Sequence, residues 1–322
     1  MTWPIASVSF GSGPAVLTMS ELFAGIDCGT NSVRLLVCRR ESDGRLVEID
    51  RRLHITRLGQ GVDATGSLHP EALARTLAAM ADFGAELDDL GVERRRVVAT
   101  SAARDAANSA EFFDGTRARL GVDAEIIAGT EEARLSYLGA VNALTELAQP
   151  VLVMDIGGGS TELVLGAAGV VQQAVSLDMG SVRVKERFWS ADPPTGSDIA
   201  AATTFVDRLL DDSPIDFDAV ATWVGVGGTV TSLSALIQGL SVYDRDAVHG
   251  STLEAGELVA FTTDLLALTA AQVAEYPTMV PGRADVIAAG GLVCRQVGAR
   301  TARPLIVSEA DILDGIVAGL AQ

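Results

Sequence analysis

The chain has 322 residues, 48% of them hydrophobic and 20% charged, which suffices for two domains of ordinary size and argues against global disorder. Its net charge of −18 excludes a broad nucleic-acid-binding surface, although a local cluster of arginines and a metal could still receive a polyanion. No run approaches a membrane span, and three cysteines (Cys28, Cys38 and Cys294) without CxxC spacing argue against a disulfide framework or a zinc site, as expected in a reducing cytoplasm.

Residues 1–18 carry no charged side chain and lack the basic start of a secretory signal, so they read as a disordered leader, with Met19 as an alternative start. From Leu22 the segment LFAGIDCGTNSVRLLVCRR predicts strand, turn (Asp27 to Ser32) and strand. A third strand, Leu46 to Leu53, is followed by a glycine-rich loop. A helix with apolar residues at helical spacing then runs from Pro70 to Gly91. Next come a strand from Arg96 to Thr100, one helix over SAARDAANSAEFFDGTRARLG, and a strand from Asp123 to Ala128. A further helix is capped by Thr130, with Glu131 and Glu132 complementing its dipole.

The scheme then repeats. Strands at Val151–Asp155, Glu162–Leu165 and Val170–Ser176 precede a helix over SDIAAATTFVDRLLDD with Ser197 as its N-cap. AVATWVGVGGTVTSLSALI reads as strand, glycine turn and helix, placing Gly227, Gly228 and Thr229 at a helix N-terminus suited to anions. Helices at Leu253–Leu268 and Ala270–Glu275, a strand at Pro304–Val307 and a helix at Glu309–Leu320 complete the chain.

The repeated unit is visible in the turns. VMDIGGGSTELVL and AGIDCGTNSVRLLV share strand, Asp, Gly, small hydroxyl residues and strand, so two related halves are expected to face one another across a cleft. Each half would have the order β-β-β-α-β-α-β-α in an α/β fold, with the domains at 19–135 and 136–322 and the last helix free to pack back on the first. Consecutive glycines let backbone amides approach an anion, while Asp155 and Glu162 flank the turn. A metal-assisted phosphate site and a tight hairpin with solvated acids both satisfy that pattern. There is no Walker A loop, GxGxxG turn, HExxH or GxSxG, and His54, His69 and His249 are scattered.

Taken together, IDCGTNSVRLLV, RLGQGVDATGSL, VATSAARDAAN, IIAGTEEARLSYLGA, DIGGGSTELV, MGSVRVKERF, VGVGGTVTSL and GRADVIAAGGLV resemble the exopolyphosphatase / guanosine pentaphosphate phosphohydrolase family. That family lies within the actin, sugar kinase and heat-shock chaperone superfamily. The resemblance implies two actin-like (ribonuclease H-like) domains and Mg²⁺-dependent hydrolysis of a terminal phosphoanhydride. It makes Glu132 the general base, with Asp155 and Glu162 holding Mg²⁺ and positioning water, and Asp27 a further candidate for the metal. Arg104 and the turns at Gly29, Thr30, Asn31 and Ser32, at Gly157, Gly158, Gly159 and Ser160, and at Gly227, Gly228 and Thr229 would bind phosphate. Arg183 and Asp285 have either a functional or a structural role. Longer relatives continue into helical domains, so a short two-domain form acting on short polyphosphate is expected, with guanosine pentaphosphate as the alternative substrate. A kinase or ATPase, or a non-catalytic polyphosphate or alarmone sensor, are the competing functions. No membrane or nucleic-acid partner is expected, and a homodimer is implied.

Overall fold

The computed structural model describes residues 21–322, so the expectations for residues 1–18 and Met19 lie outside the described residues. The first half runs β1 (Leu22–Cys28), β2 (Ser32–Arg40), β3 (Leu46–Ile55), α1 (Val62–Thr65), α2 (Pro70–Asp89), β4 (Arg94–Ala99), α3 (Ser101–Asp105), α4 (Ser109–Leu120), β5 (Ala124–Ile126) and α5 (Gly129–Ala143). The second begins with β6 (Val151–Ile156), β7 (Thr161–Ala167), β8 (Val170–Leu177), α6 (Ser181–Phe188) and α7 (Gly196–Asp211). It continues with β9 (Thr222–Val226), α8 (Gly227–Ile237), α9 (Arg245–Val248), β10 (Thr252–Leu253), α10 (Ala255–Leu266), α11 (Ala270–Val273), α12 (Ile287–Thr301), β11 (Leu305–Val307) and α13 (Ile312–Leu320).

Both halves build the same sheet. The first is ordered β3-β2-β1-β4-β5, and the second follows the same path as β8-β7-β6-β9-β11, with β10 added at its edge. In each, a three-stranded antiparallel meander precedes a parallel crossover, as βα connections require. The second half departs from the duplicated order by inserting α9 to α12 and β10 between α8 and β11. Buried strand residues form the cores: Ile26, Leu35 and Val97 with Met80 and Phe83 in the first half, and Leu152, Leu163 and Trp223 with Val230 and Leu292 in the second.

The two halves are joined by α5 and α13. Helix α13 packs on β1 and β2 of the first sheet, and α5 packs on β7 and β8 of the second, so each lies on the other half's strands. They cross at Gly139 and Gly315. A Cβ on Gly139 would overlap the Asp311 carbonyl oxygen, and one on Gly315 would overlap that of Leu135. Only glycine permits that reciprocal backbone contact.

Several local expectations are corrected. The helix expected after β4 is two helices, because Asn108 bonds both the N–H (2.7 Å) and the carbonyl (3.1 Å) of Leu68 and draws the chain out between α3 and α4. Thr130 does not cap α5, which starts at Gly129 against Ser176 without a side-chain cap. Ser197 yields to Thr195, whose capping box with Asp198 fixes the start of α7. The last helix starts at Ile312 rather than Glu309, since Asp311 caps it by accepting the Leu313 N–H at 3.0 Å.

Candidate active site

The β1–β2 and β6–β7 turns close alike, Gly29 N–H donating to Ser32 O at 2.9 Å and Gly157 N–H to Ser160 O at 3.0 Å. They meet at the cleft floor. Thr30 lies against Gly158 so closely that a Cβ there would crowd its side chain, and its hydroxyl bonds Ser101 at 2.8 Å. Strand β9 beside β6 delivers the N-terminus of α8 to the same place, where Gly227 adopts φ +79° and Thr229 Oγ1 donates to Ile156 O at 3.1 Å.

These elements line one cavity of about 360 Å³. It brings together Asp27, Gly29, Thr30, Asn31, Ser32, Glu132, Asp155, Gly157, Gly158, Ser160, Glu162, Gly227, Gly228 and Thr229. Gly159 and Arg104 are not among the lining residues. Gly159 packs behind, against Ser101 and Thr30, while Arg104 Nη1 lies 3.7 Å from Glu132 Oε2 and donates to Ile127 O at 3.2 Å.

Sheet register sets the carboxylates. Asp155 and Glu162 pair directly across β6 and β7, so their side chains share a face at the end of the hairpin. Ser136 from α5 donates to Asp155 Oδ2 at 2.8 Å, and Ser176 from β8 donates to Glu162 Oε1 at 2.6 Å. Glu132, in the first turn of α5, is 8% exposed, and its Oε2 is buried without a hydrogen-bond partner. Asp27 likewise leaves Oδ1 buried and unpartnered.

So many buried acids raise one another's pKa. Burial, and then the charges of Glu162, Asp27 and Asp155, push Glu132 well above the usual carboxylate range, against the pull of Arg104. Burial and then Asp155 raise Glu162 to about 8, and burial and then Asp311 raise Asp155 to about 6. Asp27 is also raised by burial, opposed by Arg34.

Three further groups had no role in the sequence reading. Arg283 is buried in the cavity wall behind Gly228, donates to Ser232 Oγ at 2.8 Å and forms no ion pair among the described residues; burial lowers its pKa to about 10. Its GRADV context marked the segment, but only the fold shows where the guanidinium lies. Arg34 stands opposite Asp27 in register, where the second half has Glu162 opposite Asp155, and it bonds both Asp27 and Asp311. Asp311 lies far from either hairpin in sequence, and no motif pointed to it.

Arg183 and Asp285 lie elsewhere, at contacts between the halves. Arg183 pairs with Asp105 at 2.7 Å, Asp63 at 3.2 Å and Asp178 at 3.4 Å, and Asp285 pairs with Arg57 at 2.6 Å and Lys185 at 2.7 Å.

Among the described residues, no three carboxylate, histidine or cysteine side chains form a preformed metal cage. Mg²⁺ rarely needs one, because it takes one or two carboxylates and completes its octahedron with water and phosphate oxygens. Asp155 and Glu162, each fixed by a serine at one oxygen and held above their usual pKa by burial and then by neighbouring acids, fit that demand.

The model of the Ppx/GppA phosphatase family matches residues 37–318. Exopolyphosphatase 2 of Mycobacterium tuberculosis is 44% identical over 92% of this chain and 98% of its own length. The crystal structure of an exopolyphosphatase-like protein superposes with a TM-score of 0.88 at 40% identity, covering 93% of this chain and 98% of its own. A Ppx/GppA family member from Aquifex aeolicus gives 0.78 at 32% identity, covering 93% and 97%.

Proposed function

The chain belongs to the Ppx/GppA phosphatase family, and on that premise we propose that it is an exopolyphosphatase releasing orthophosphate from the end of short inorganic polyphosphate. The observation that carries the chemistry is Glu132, a buried carboxylate with an unpartnered oxygen, facing the same cavity as Asp155, Glu162 and three sets of turn amides.

In this reading the terminal phosphoryl group lies on the amides of Gly158 and Ser160, the Gly157 N–H being taken by Ser160 O, and on those of Gly227 to Thr229. The turn from Gly29 to Ser32 receives the adjoining phosphates. Arg283 has no ion-pair partner among the described residues and offers its guanidinium fork to the phosphate oxygens. Glu132 accepts the proton of the attacking water, and its pKa, raised by burial and the neighbouring acids, makes it a stronger proton acceptor than an ordinary carboxylate. Asp155 and Glu162 would hold Mg²⁺, whose charge offsets the negative charge spreading over the transferred group. Asp27 has only Oδ1 to offer, Oδ2 being taken by Arg34. Arg104 acts on Glu132, which it faces, more directly than on substrate.

Guanosine pentaphosphate is favoured as a second substrate by Leu53, Val280 and Tyr243, which give the cavity an apolar wall that a bare phosphate chain does not need. The reading also includes a homodimer in the cytoplasm, in keeping with three unpaired, buried cysteines. The test is orthophosphate release with Mg²⁺ from tripolyphosphate, long polyphosphate, guanosine pentaphosphate and ATP. Fastest release from short polyphosphate is expected. Faster turnover of ATP with transfer to an acceptor would point to a kinase, and tight binding without release to a sensor.

A further inference from the structure

Five arginines line the cavity: Arg34, Arg51, Arg52, Arg245 and Arg283. Carboxylates already engage four of them. Arg51 pairs with Glu48 and Asp314, Arg52 with Asp50 and Glu86, and Arg245 with Glu48 and Glu309. Arg34 is different in lining the cavity beside the turn of its own hairpin, opposite Asp27 in register.

Two acids divide its donors. Nε and Nη2 bond one oxygen of Asp27, at 3.2 and 2.7 Å, which matches their register across β1 and β2. Nη1 bonds Asp311, which comes from the other half, on the segment leading into α13. Asp311 is 4% exposed and is itself held in place: its Oδ1 accepts the Leu313 N–H at 3.0 Å, and its own N–H donates to Asp314 at 3.0 Å. One guanidinium therefore has its donors divided between two buried carboxylates at the cavity wall, with Arg51 acting on Asp311 as well.

We propose that Asp311 determines how tightly the cavity holds a polyphosphate chain, by occupying the side of Arg34 that would otherwise turn to a phosphate. Arg283, in no ion pair among the described residues, then carries the direct contact, and Arg34 is held in reserve. A weaker hold favours departure of the shortened chain after each cleavage, which suits an enzyme acting on short substrates. The inference rests on the polyphosphate reading of the site.

The variant Asp311→Asn tests it. Asparagine keeps an oxygen for the Leu313 N–H and is a good N-cap, but it presents no second charge to Arg34. Asp311→Ser, which also caps well, is the second variant, and a thermal melt checks that each folds. Binding of Mg²⁺-tripolyphosphate is measured by calorimetry with Glu132→Gln in every protein, so that nothing is turned over. KM and kcat are measured with Glu132 intact.

Asp311→Asn is expected to tighten binding about five- to tenfold, the scale of removing one like charge from a part-buried site. KM should fall and kcat should not rise. In an Arg34→Gln background the gain should shrink to half or less. Unchanged or weaker binding by a folded variant would overturn the proposal, as would an equal gain with and without Arg34. Failure of the wild type to release phosphate from polyphosphate would instead strike the functional reading and leave the calorimetric comparison intact.

Discussion

Burial sets the chemistry of Glu132, Asp155 and Glu162, and it also makes the protein's stability depend on pH. Carboxyls in an unfolded chain titrate near pH 4, whereas Asp155 and Glu162 titrate at about 6 and about 8 when folded, and Glu132 is also raised. The native state therefore binds protons that the unfolded state has released. The stability tied to these groups is present below about pH 4 and is lost as pH rises through 6 and 8. In EDTA, thermal melts should show the protein more stable at pH 5.5 than at pH 8.5, by on the order of a few kcal/mol. Mg²⁺ should recover much of the difference at the higher pH. A flat or rising profile in EDTA would show that the three acids are not buried together. Glu132, Asp155 and Glu162 could be singled out in the sequence because they sit in local motifs. Arg34, Arg283 and Asp311 could not, because a strand arginine, a loop arginine and a helix cap look ordinary until the register of β1 with β2 and the return of α13 bring them to the cavity.

At the scale of elements, the crossing of α5 and α13 holds the site together. Helix α5 supplies Glu132 and Ser136, and the start of α13 supplies Asp311, so a shift at the crossing moves both sides of the cavity. Gly139→Ala should cost about 1–3 kcal/mol, and more if the helices cannot separate, because the new methyl group meets the Asp311 backbone. Denaturant melts measure the loss, and the same substitution at Gly319, where a Cβ meets nothing within 4 Å, is the control. Equal effects at the two positions would contradict the crossing. Element types were readable from hydrophobic period and from glycine turns. Caps and breaks were less so, since Asn108 interrupts a helix only by bonding Leu68, a residue 40 positions away. Ser197 reads as the cap until the Asp198 side chain, in a capping box with Thr195, starts the helix earlier.

For the molecule as a whole, the duplication was legible because both halves spend the same scarce residues on the same turn. Its consequence, a site assembled from both halves, follows from the matching sheets and the exchanged helices. The ion pairs of Arg183 with Asp63 and Asp105, of Arg187 with Asp63 and of Arg57 with Asp285 also bridge the halves, and they depend on positions that sequence spacing does not reveal. The central claim is that Glu132, carried by the first half, acts on water at a phosphate held by the second. It is tested most directly by measuring, on one preparation of Glu132→Gln, both phosphate release from tripolyphosphate and calorimetric binding of Mg²⁺-tripolyphosphate. Release should fall about 100-fold or more while the dissociation constant stays within a few-fold of its value for Glu132→Asp, a variant that keeps the carboxylate. Near-wild-type release, or loss of binding in parallel with turnover, would contradict the assignment of Glu132 as the base.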